Sequence, residues 1–339
     1  MRALITGGTG FIGCNTVKYL GELGWDVAVL DNLSRAGSEK NLDWLRRQLS
    51  FGFVNIDIRN SGGVTEVIST GHFDIIIHLA AQVAVTTSIL SPRLDFEINA
   101  LGTLNVLEAI RRYSPNTILL NVSTNKVYGQ LSNIDVREGD TRYEFVHHPF
   151  GIAETQPLDF HSPYGCSKGA ADHYVIDYAR IYGLKCVNFR QSCIYGCRQF
   201  GIEDQGWVAW FTIAHVLGKP VTIYGNGKQV RDVLFVDDLI AAYLCAIDSV
   251  GSVSGRTFNI GGGVQNTLSL LELIEYLEYL SNRKVAYSFT DWRPGDQPVF
   301  ISDIRQARVE LNWFPRVSAR EGVARLYNWV VQNRGIFDV

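Results

Sequence analysis

The stretch that most limits what this chain can become is Gly7-Gly8-Thr9-Gly10-Phe11-Ile12-Gly13, set directly after the short apolar run Ala3 to Thr6. From Phe11 to Leu23 apolar residues recur at helical spacing, so the glycines stand between a strand and a helix. Glycines in that place let the chain turn tightly and bring backbone N–H groups against a pyrophosphate, at the positive end of the helix dipole. The spacing is Gly-x-x-Gly-x-x-Gly, carried by Gly7, Gly10 and Gly13, with Phe11 and Ile12 opening the helix.

The same rhythm of strand and helix continues beyond the glycines. Asp26 to Leu30 reads as a second strand ending at Asp31, where an acidic side chain accepts both hydrogen bonds of an adenosine ribose and favours NAD over NADP. In the other reading Asp31 caps a turn with Asn32, and Arg35 pairs with a 2′-phosphate. Phe53 to Ile56 reads as a third strand, leaving through Asp57-Ile58-Arg59 at the sheet edge where an adenine would lie, with Asp57 accepting from the adenine amino group. Phe73 to Leu79 is the near-continuous apolar run of a parallel strand buried on both faces, and it opens into Ala80-Ala81-Gln82, small residues that let a cofactor pass closely. His78, inside that run, reads as a satisfied core histidine rather than a ligand. Ser91 to Tyr113 reads as one long helix containing Asn99, whose role is left between structural and cofactor-facing. The strand Thr117 to Val122 then delivers Ser123-Thr124-Asn125-Lys126-Val127-Tyr128-Gly129 at its C-terminal end, where ligands collect in doubly wound sheets. Thr124 is the best-placed hydroxyl there, though a Ser-Thr pair after a strand is also an ordinary turn or N-cap.

A second chemistry-bearing stretch is Leu158-Asp-Phe-His-Ser-Pro-Tyr-Gly-Cys-Ser-Lys168. Pro163 suits the first turn of a helix, so Tyr164 and Lys168 project from one face, one turn apart. A free phenol titrates near ~10, and a neighbouring ammonium favours its anion, so Lys168 is expected to lower the Tyr164 pKa and make it a base for an alcohol proton. The bland alternative is a chance Tyr-x-x-x-Lys on a half-exposed face.

At 339 residues the chain predicts one larger and one smaller lobe: a dinucleotide-binding domain over 1–190, and a mainly substrate-binding lobe over 191–339 with some segments returning to the first. Val236 to Ile247, Leu268 to Leu280 and Ser318 to Val331 have helical apolar spacing and are expected to pack the second lobe; Trp207, Trp210 and Phe211 read as core. A net charge of −3 without a Lys/Arg cluster argues against nucleic acid or a membrane surface as a partner. The six cysteines form no Cys-x-x-Cys pair, and His147-His148 lacks partners at ligand spacing, so reduced thiols and no metal are expected. No leader-like segment or long apolar run is visible, which predicts a cytosolic protein. The fold class is α/β: a Rossmann-type doubly wound parallel sheet with a smaller mixed α/β C-terminal substrate lobe.

Taken together, Gly7-x-x-Gly10-x-x-Gly13, Asp31, Ser123-Thr124 and Tyr164-x-x-x-Lys168 resemble the extended short-chain dehydrogenase/reductase family, specifically its nucleotide-sugar epimerases and dehydratases, over essentially the whole chain. The resemblance implies NAD, tightly bound and regenerated each turnover, held by Gly7, Gly10, Phe11, Ile12, Gly13, Asp31, Asn32, Ser34, Arg35, Asp57, Ile58, Leu79, Ala80, Ala81, Gln82, Asn99, Ser123, Tyr164 and Lys168. It implies Tyr164, Lys168 and Thr124 as catalytic residues. Thr124, Cys193, Arg231 and Arg293 would bind substrate, the two arginines from the diphosphate-holding stretches Asn226 to Asp232 and Trp292 to Gln297. Cys193 stands where relatives often carry Asn, which fits an unusual sugar. Family 4,6-dehydratases carry Thr-Asp-Glu after the same strand; Asn125 and Lys126 stand there instead, and an amide and an ammonium cannot act as that acid–base pair. The branch resembled most inverts C2 of a CDP-linked 3,6-dideoxyhexose, in a homo-oligomer, dimer or tetramer. A UDP-hexose 4-epimerase and a catalytically idle NAD-binding or redox-sensing partner protein remain the other readings.

Overall fold

A computed structural model of the protein describes residues 1–293 and 296–337. Pro294 and Gly295, within the expected Trp292 to Gln297 clamp stretch, lie outside the described residues, as do Asp338 and Val339. In chain order the strands are β1 (Arg2–Thr6), β2 (Asp26–Asp31), β3 (Gly52–Asn55), β4 (Ile75–His78), β5 (Ile118–Thr124), β6 (Val136–Glu138), β7 (Tyr143–Phe145), β8 (Cys186–Gln191), β9 (Cys193–Tyr195), β10 (Val221–Tyr224), β11 (Val230–Phe235), β12 (Arg256–Ile260), β13 (Thr267–Ser269), β14 (Tyr287–Thr290) and β15 (Val299–Phe300).

Seven of these make one all-parallel sheet in the order β12-β8-β5-β4-β1-β2-β3. Strand order reverses between β1 and β4, and in sheets of this kind the crevice at such a reversal is where ligands bind. Side-chain alternation divides each central strand between two helical layers. Ala3, Ile5, Val29, Ile75 and Ile77 pack with the helices Phe11–Glu22 and Val236–Asp248, while Leu4, Leu30 and Ile76 pack with Ser61–Gly71, Gly102–Tyr113 and Ser162–Tyr182. Burial on both faces explains why β4 reads as an unbroken Ile-Ile-Ile run.

A second core gathers the helices Trp207–Leu217, Leu270–Ser281 and Ala319–Gln332 around β10 and β11. There β11 pairs parallel with β9 and β15 and antiparallel with β13, so this smaller sheet is mixed. The helix Val236–Asp248, expected to pack the second lobe, is shared between the two cores. Val236 and Ile240 face the second core, whereas Leu239, Ala242, Tyr243 and Ala246 lie against the seven-stranded sheet. Its sequence is apolar almost all round, which is what burial between two layers requires. The expected single helix from Ser91 to Tyr113 is interrupted: Pro92–Phe96 passes into a π-helical turn, Glu97–Leu101, before Gly102–Tyr113. The span expected to be irregular beyond Arg137 contains part of the β6–β7 hairpin. Among the described residues no helix is long and apolar enough to cross a membrane.

His78, at the end of β4, is a core residue with both ring nitrogens engaged. Thr6 Oγ1 lies 2.7 Å from Nδ1, and Nε2 lies 3.1 Å from Thr103 Oγ1, whose own proton goes to the Asn99 carbonyl at 2.6 Å. Thr6 Oγ1 in turn accepts from the N–H groups of Leu79 and Ala80, so the circuit closes with a neutral ring donating through Nε2. Burial, joined by the Lys168 charge, lowers the His78 pKa to about 3. Because the unfolded value is higher, near ~6.5, the folded protein binds fewer protons than the unfolded chain between those values, and stability falls as pH drops through that window. The expected loss between pH ~6.5 and ~5 is about 2 kcal/mol from this group. Urea midpoints at the two pH values will show it: His78→Asn should lose less stability on acidification than wild type, and an equal loss contradicts the assignment.

Candidate active site

The loop after β1 meets the end of β4 with no room for side chains. Gly7 has φ +69° and a Cβ there would lie 2.7 Å from the Ala80 nitrogen; one on Gly13 would overlap the Gly7 carbonyl oxygen. Gly10 precedes the helix Phe11–Glu22 without any side-chain cap, so the first helical N–H groups are left to whatever approaches them. A cradle of that shape and polarity suits a dinucleotide pyrophosphate.

Asp31 is buried at the end of β2. Each carboxylate oxygen accepts one backbone N–H, from Thr9 at 3.0 Å and Leu33 at 2.8 Å, so the same side chain holds the glycine loop and its own turn. Asn32 donates to Asp57 at 2.8 Å and accepts from both the backbone and the hydroxyl of Ser34. Asp57 is held by the Arg59 guanidinium through two bonds of 2.9 Å, a pairing that, with that arginine's hydrogen bonds first among the causes, lowers its pKa to about 2. Arg35 hydrogen-bonds Gln205 of the second lobe, and Ile58 is buried in the core. Asp31, Asp57 and the Leu79-to-Ala81 stretch thus stand at or just beyond the C-terminal ends of β2, β3 and β4, which with β1 are neighbours in the sheet.

Tyr164 and Lys168 sit one turn apart on Ser162–Tyr182, both buried, with Pro163 in the first turn. The Lys168 ammonium donates to the Val122 carbonyl at the end of β5. Burial lowers its pKa to about 8 against the opposing charges of Asp172 and Asp95. The phenol departs from expectation. Burial pushes Tyr164 up to about 12, with Thr124 opposing and the Asp95 charge adding to the rise. Lys168 does not offset this because its ammonium is directed to the Val122 carbonyl and desolvation dominates both groups. Thr124 serves two ends: its Oγ1 accepts from the Lys126 N–H at 3.2 Å, capping the turn Asn125–Tyr128, and it lies close enough to Tyr164 to favour the phenolate.

Two charged groups behind the pair escaped the sequence reading. Asp172, one turn beyond Lys168, is fully buried and takes two 3.0 Å bonds from Arg190 on β8. Burial works to raise the Asp172 pKa, yet that pairing keeps it below the usual range. Asp95 is buried beneath the π-helical turn. It accepts from Gln82 Nε2 at 2.7 Å, from Asn99 at 3.1 Å and from Ser167 on the catalytic helix. Asn99 also accepts from the Gln82 N–H at 2.9 Å and donates to its carbonyl at 3.0 Å. The signal available in sequence was the Asp95-to-Asn99 spacing of one helical turn. Ser123 lies beside Asp172.

From the second lobe, Cys193 on β9 stands near Trp207, Arg231 and Lys126. Arg231, on β11, donates to Asp296 at 2.5 Å and to the Val230 carbonyl at 2.8 Å. Arg293 stacks on Tyr224 with its guanidinium 3.9 Å from the ring centre and pairs with Asp204 at 3.1 Å. Trp207 and Trp210 pack against the second core, and Phe211 belongs to it.

Comparison with known proteins agrees with this geometry. A family model described as GDP-mannose 4,6 dehydratase matches residues 4–326. The CDP-paratose 2-epimerase of Salmonella typhi is 50% identical, covering 97% of this chain and 99% of that protein. The UDP-glucose 4-epimerase of Mycolicibacterium smegmatis is 32% identical over 96% and 97%. Among solved structures, UDP-glucose 4-epimerase of Thermotoga maritima with UDP-glucose superposes with a TM-score of 0.84 at 31% identity, over 98% of this chain and 100% of the other. The dTDP-glucose 4,6-dehydratase DesIV of Streptomyces venezuelae, with NAD and TYD bound, gives 0.85 at 28%, over 100% and 99%. With its glycine cradle, its buried Tyr164 and Lys168 and this match along nearly its whole length, the chain belongs to the GDP-mannose 4,6 dehydratase family of short-chain dehydrogenase/reductases, among epimerases and dehydratases of nucleotide sugars.

Proposed function

We propose that the chain is an NAD-dependent epimerase that inverts C2 of a CDP-linked 3,6-dideoxyhexose, converting CDP-paratose to CDP-tyvelose through a transient 2-keto sugar. The observation that carries the reading is the buried Thr124, Tyr164 and Lys168 cluster with Asn125 and Lys126, not carboxylates, on the adjoining turn. The 50% identity to the Salmonella typhi enzyme supports the choice of sugar and carbon.

C2 of such a sugar lies between the acetal carbon and a methylene, so its hydrogen has no neighbouring carbonyl to acidify it. NAD, present in the structures of related enzymes, supplies when bound a hydride acceptor that also gives the hydride back, together with a positive charge beside the phenol. Tyr164 takes the C2 hydroxyl proton and returns it once the sugar has presented its other face. Thr124 holds the same oxygen. At about 12 the phenol alone is protonated near neutrality, so it acts as a base only while positive charge, such as that of bound NAD, stands close by. Asp172 keeps Lys168 charged against its burial. The glycine cradle and Asp31 hold the cofactor between turnovers, Arg231, Arg293 and Cys193 face the substrate, and the enzyme works in the cytoplasm as a homo-oligomer.

Tyr164→Phe should lower kcat by roughly 10²- to 10⁴-fold while CDP binds as in wild type; a Phe variant with most of its turnover excludes this base. The purified enzyme should convert CDP-paratose and leave UDP-galactose untouched. The opposite pattern selects a UDP-hexose 4-epimerase, and inactivity on both with NAD still retained selects the idle NAD-binding reading.

A further inference from the structure

Lys126 is the one charged group on the Thr124-to-Gly129 turn, and the proton chemistry of Tyr164 gives it no task. Its backbone carbonyl lies against Gly165, the residue after Tyr164, so the turn Asn125–Tyr128 rests on the first turn of the helix Ser162–Tyr182. Its ammonium reaches the other way, to 3.9 Å from Asp296 Oδ1. That oxygen is already taken, by Arg231 at 2.5 Å and by the Gln297 N–H at 3.0 Å. Arg231 has committed its second arm to the Val230 carbonyl. Lys126 is therefore the cation of this cluster that, among the described residues, has a carboxylate near it without a hydrogen bond to it. Lys126 and Arg231 both face the single carboxylate of Asp296, on which Arg293 also acts, so positive charge is in excess there, close to Cys193. Burial outweighs the nearby Asp296 and pulls the Lys126 ammonium below its usual pKa, so an anion arriving there adds charge stabilisation beyond what that carboxylate gives.

We infer that Lys126 selects the reacting carbon: its ammonium takes the sugar-proximal phosphate of the bound nucleotide sugar and so brings C2, the carbon next to the anomeric centre, to the Tyr164 hydroxyl. The inference rests on the proposed epimerase function and adds its regiochemistry. When C2 lies at Tyr164, the phosphate hangs from the very next carbon and must be held close to the catalytic residues. When C4 lies there, the phosphate is across the ring. A cation two residues beyond Thr124 suits the first arrangement, and a carboxylate in its place would repel that phosphate. Arg231 and Asp296 then orient the ammonium, and Arg293 lies farther out on Tyr224 for the remainder of the nucleotide.

The test compares wild type, Lys126→Gln and Lys126→Arg in the NAD-loaded full-length enzyme. Turnover of CDP-paratose and binding of CDP and CMP are measured by kinetics and calorimetry. Lys126→Gln should lower kcat/KM for CDP-paratose and affinity for CDP by roughly 10- to 100-fold, the worth of a hydrogen bond to a charged group. CMP lacks the sugar-proximal phosphate, so its affinity should be unchanged, and Lys126→Arg should recover part of the loss. Equal weakening of CDP and CMP, or CDP affinity and kcat/KM both at wild-type level, overturns the inference and leaves Lys126 as a structural partner of Asp296. Wild-type enzyme inactive on CDP-paratose overturns the functional reading itself, a result distinct from either.

Discussion

Tyr164 and Lys168 are drawn out of water by the same packing, and every other feature of the site answers to that shared desolvation. Removing solvent penalises the charged form of each, raising the phenol to about 12 and lowering the ammonium to about 8. The two proton affinities, nearly equal in water, are thus driven apart, which leaves a neutral phenol one turn from the lysine until positive charge arrives beside it. Asp172 and Asp95 favour the ammonium, Thr124 favours the phenolate, and Arg190 neutralises Asp172 so that its charge is tolerable in the core. A buried pair of this kind is costly to break: loss of one partner strands the other at about 3–5 kcal/mol.

The sheet explains why these groups meet at all. Because strand order reverses between β1 and β4, the glycine loop, Ala80 and the end of β5 open onto one crevice, and the helix Ser162–Tyr182 lays its first turns across it. The second lobe reaches the other side of the crevice at Gln297, whose side chain donates to the Gly129 carbonyl on the turn that carries Thr124 and Lys126. The shared helix Val236–Asp248 packs into both cores.

Local signals were the legible ones. The glycine spacing, the apolar run of β4, the Pro163 start of the catalytic helix and the Tyr164-to-Lys168 turn are each encoded within a few residues, and the structure forms the elements they predict. The rest depends on partners far apart in the chain. Asp95 meets Ser167 across 72 positions and Arg231 meets Asp296 across 65, so neither link has a pattern to read. The direction of the Tyr164 shift was likewise invisible: a lysine one turn away suggests a lowered pKa, but burial is a property of the whole fold and it prevails. Asn99 shows the same limit in backbone form, since nothing in its surroundings marked the π-helical turn that aims it at Gln82.

Whether C2 exchanges hydride or proton is the point on which this picture stands. CDP-paratose deuterated at C2, converted by the enzyme in ordinary water and analysed by NMR, measures it directly. The account predicts that CDP-tyvelose keeps the deuterium at C2 and forms more slowly than from the unlabelled sugar; loss of the label to solvent would contradict it.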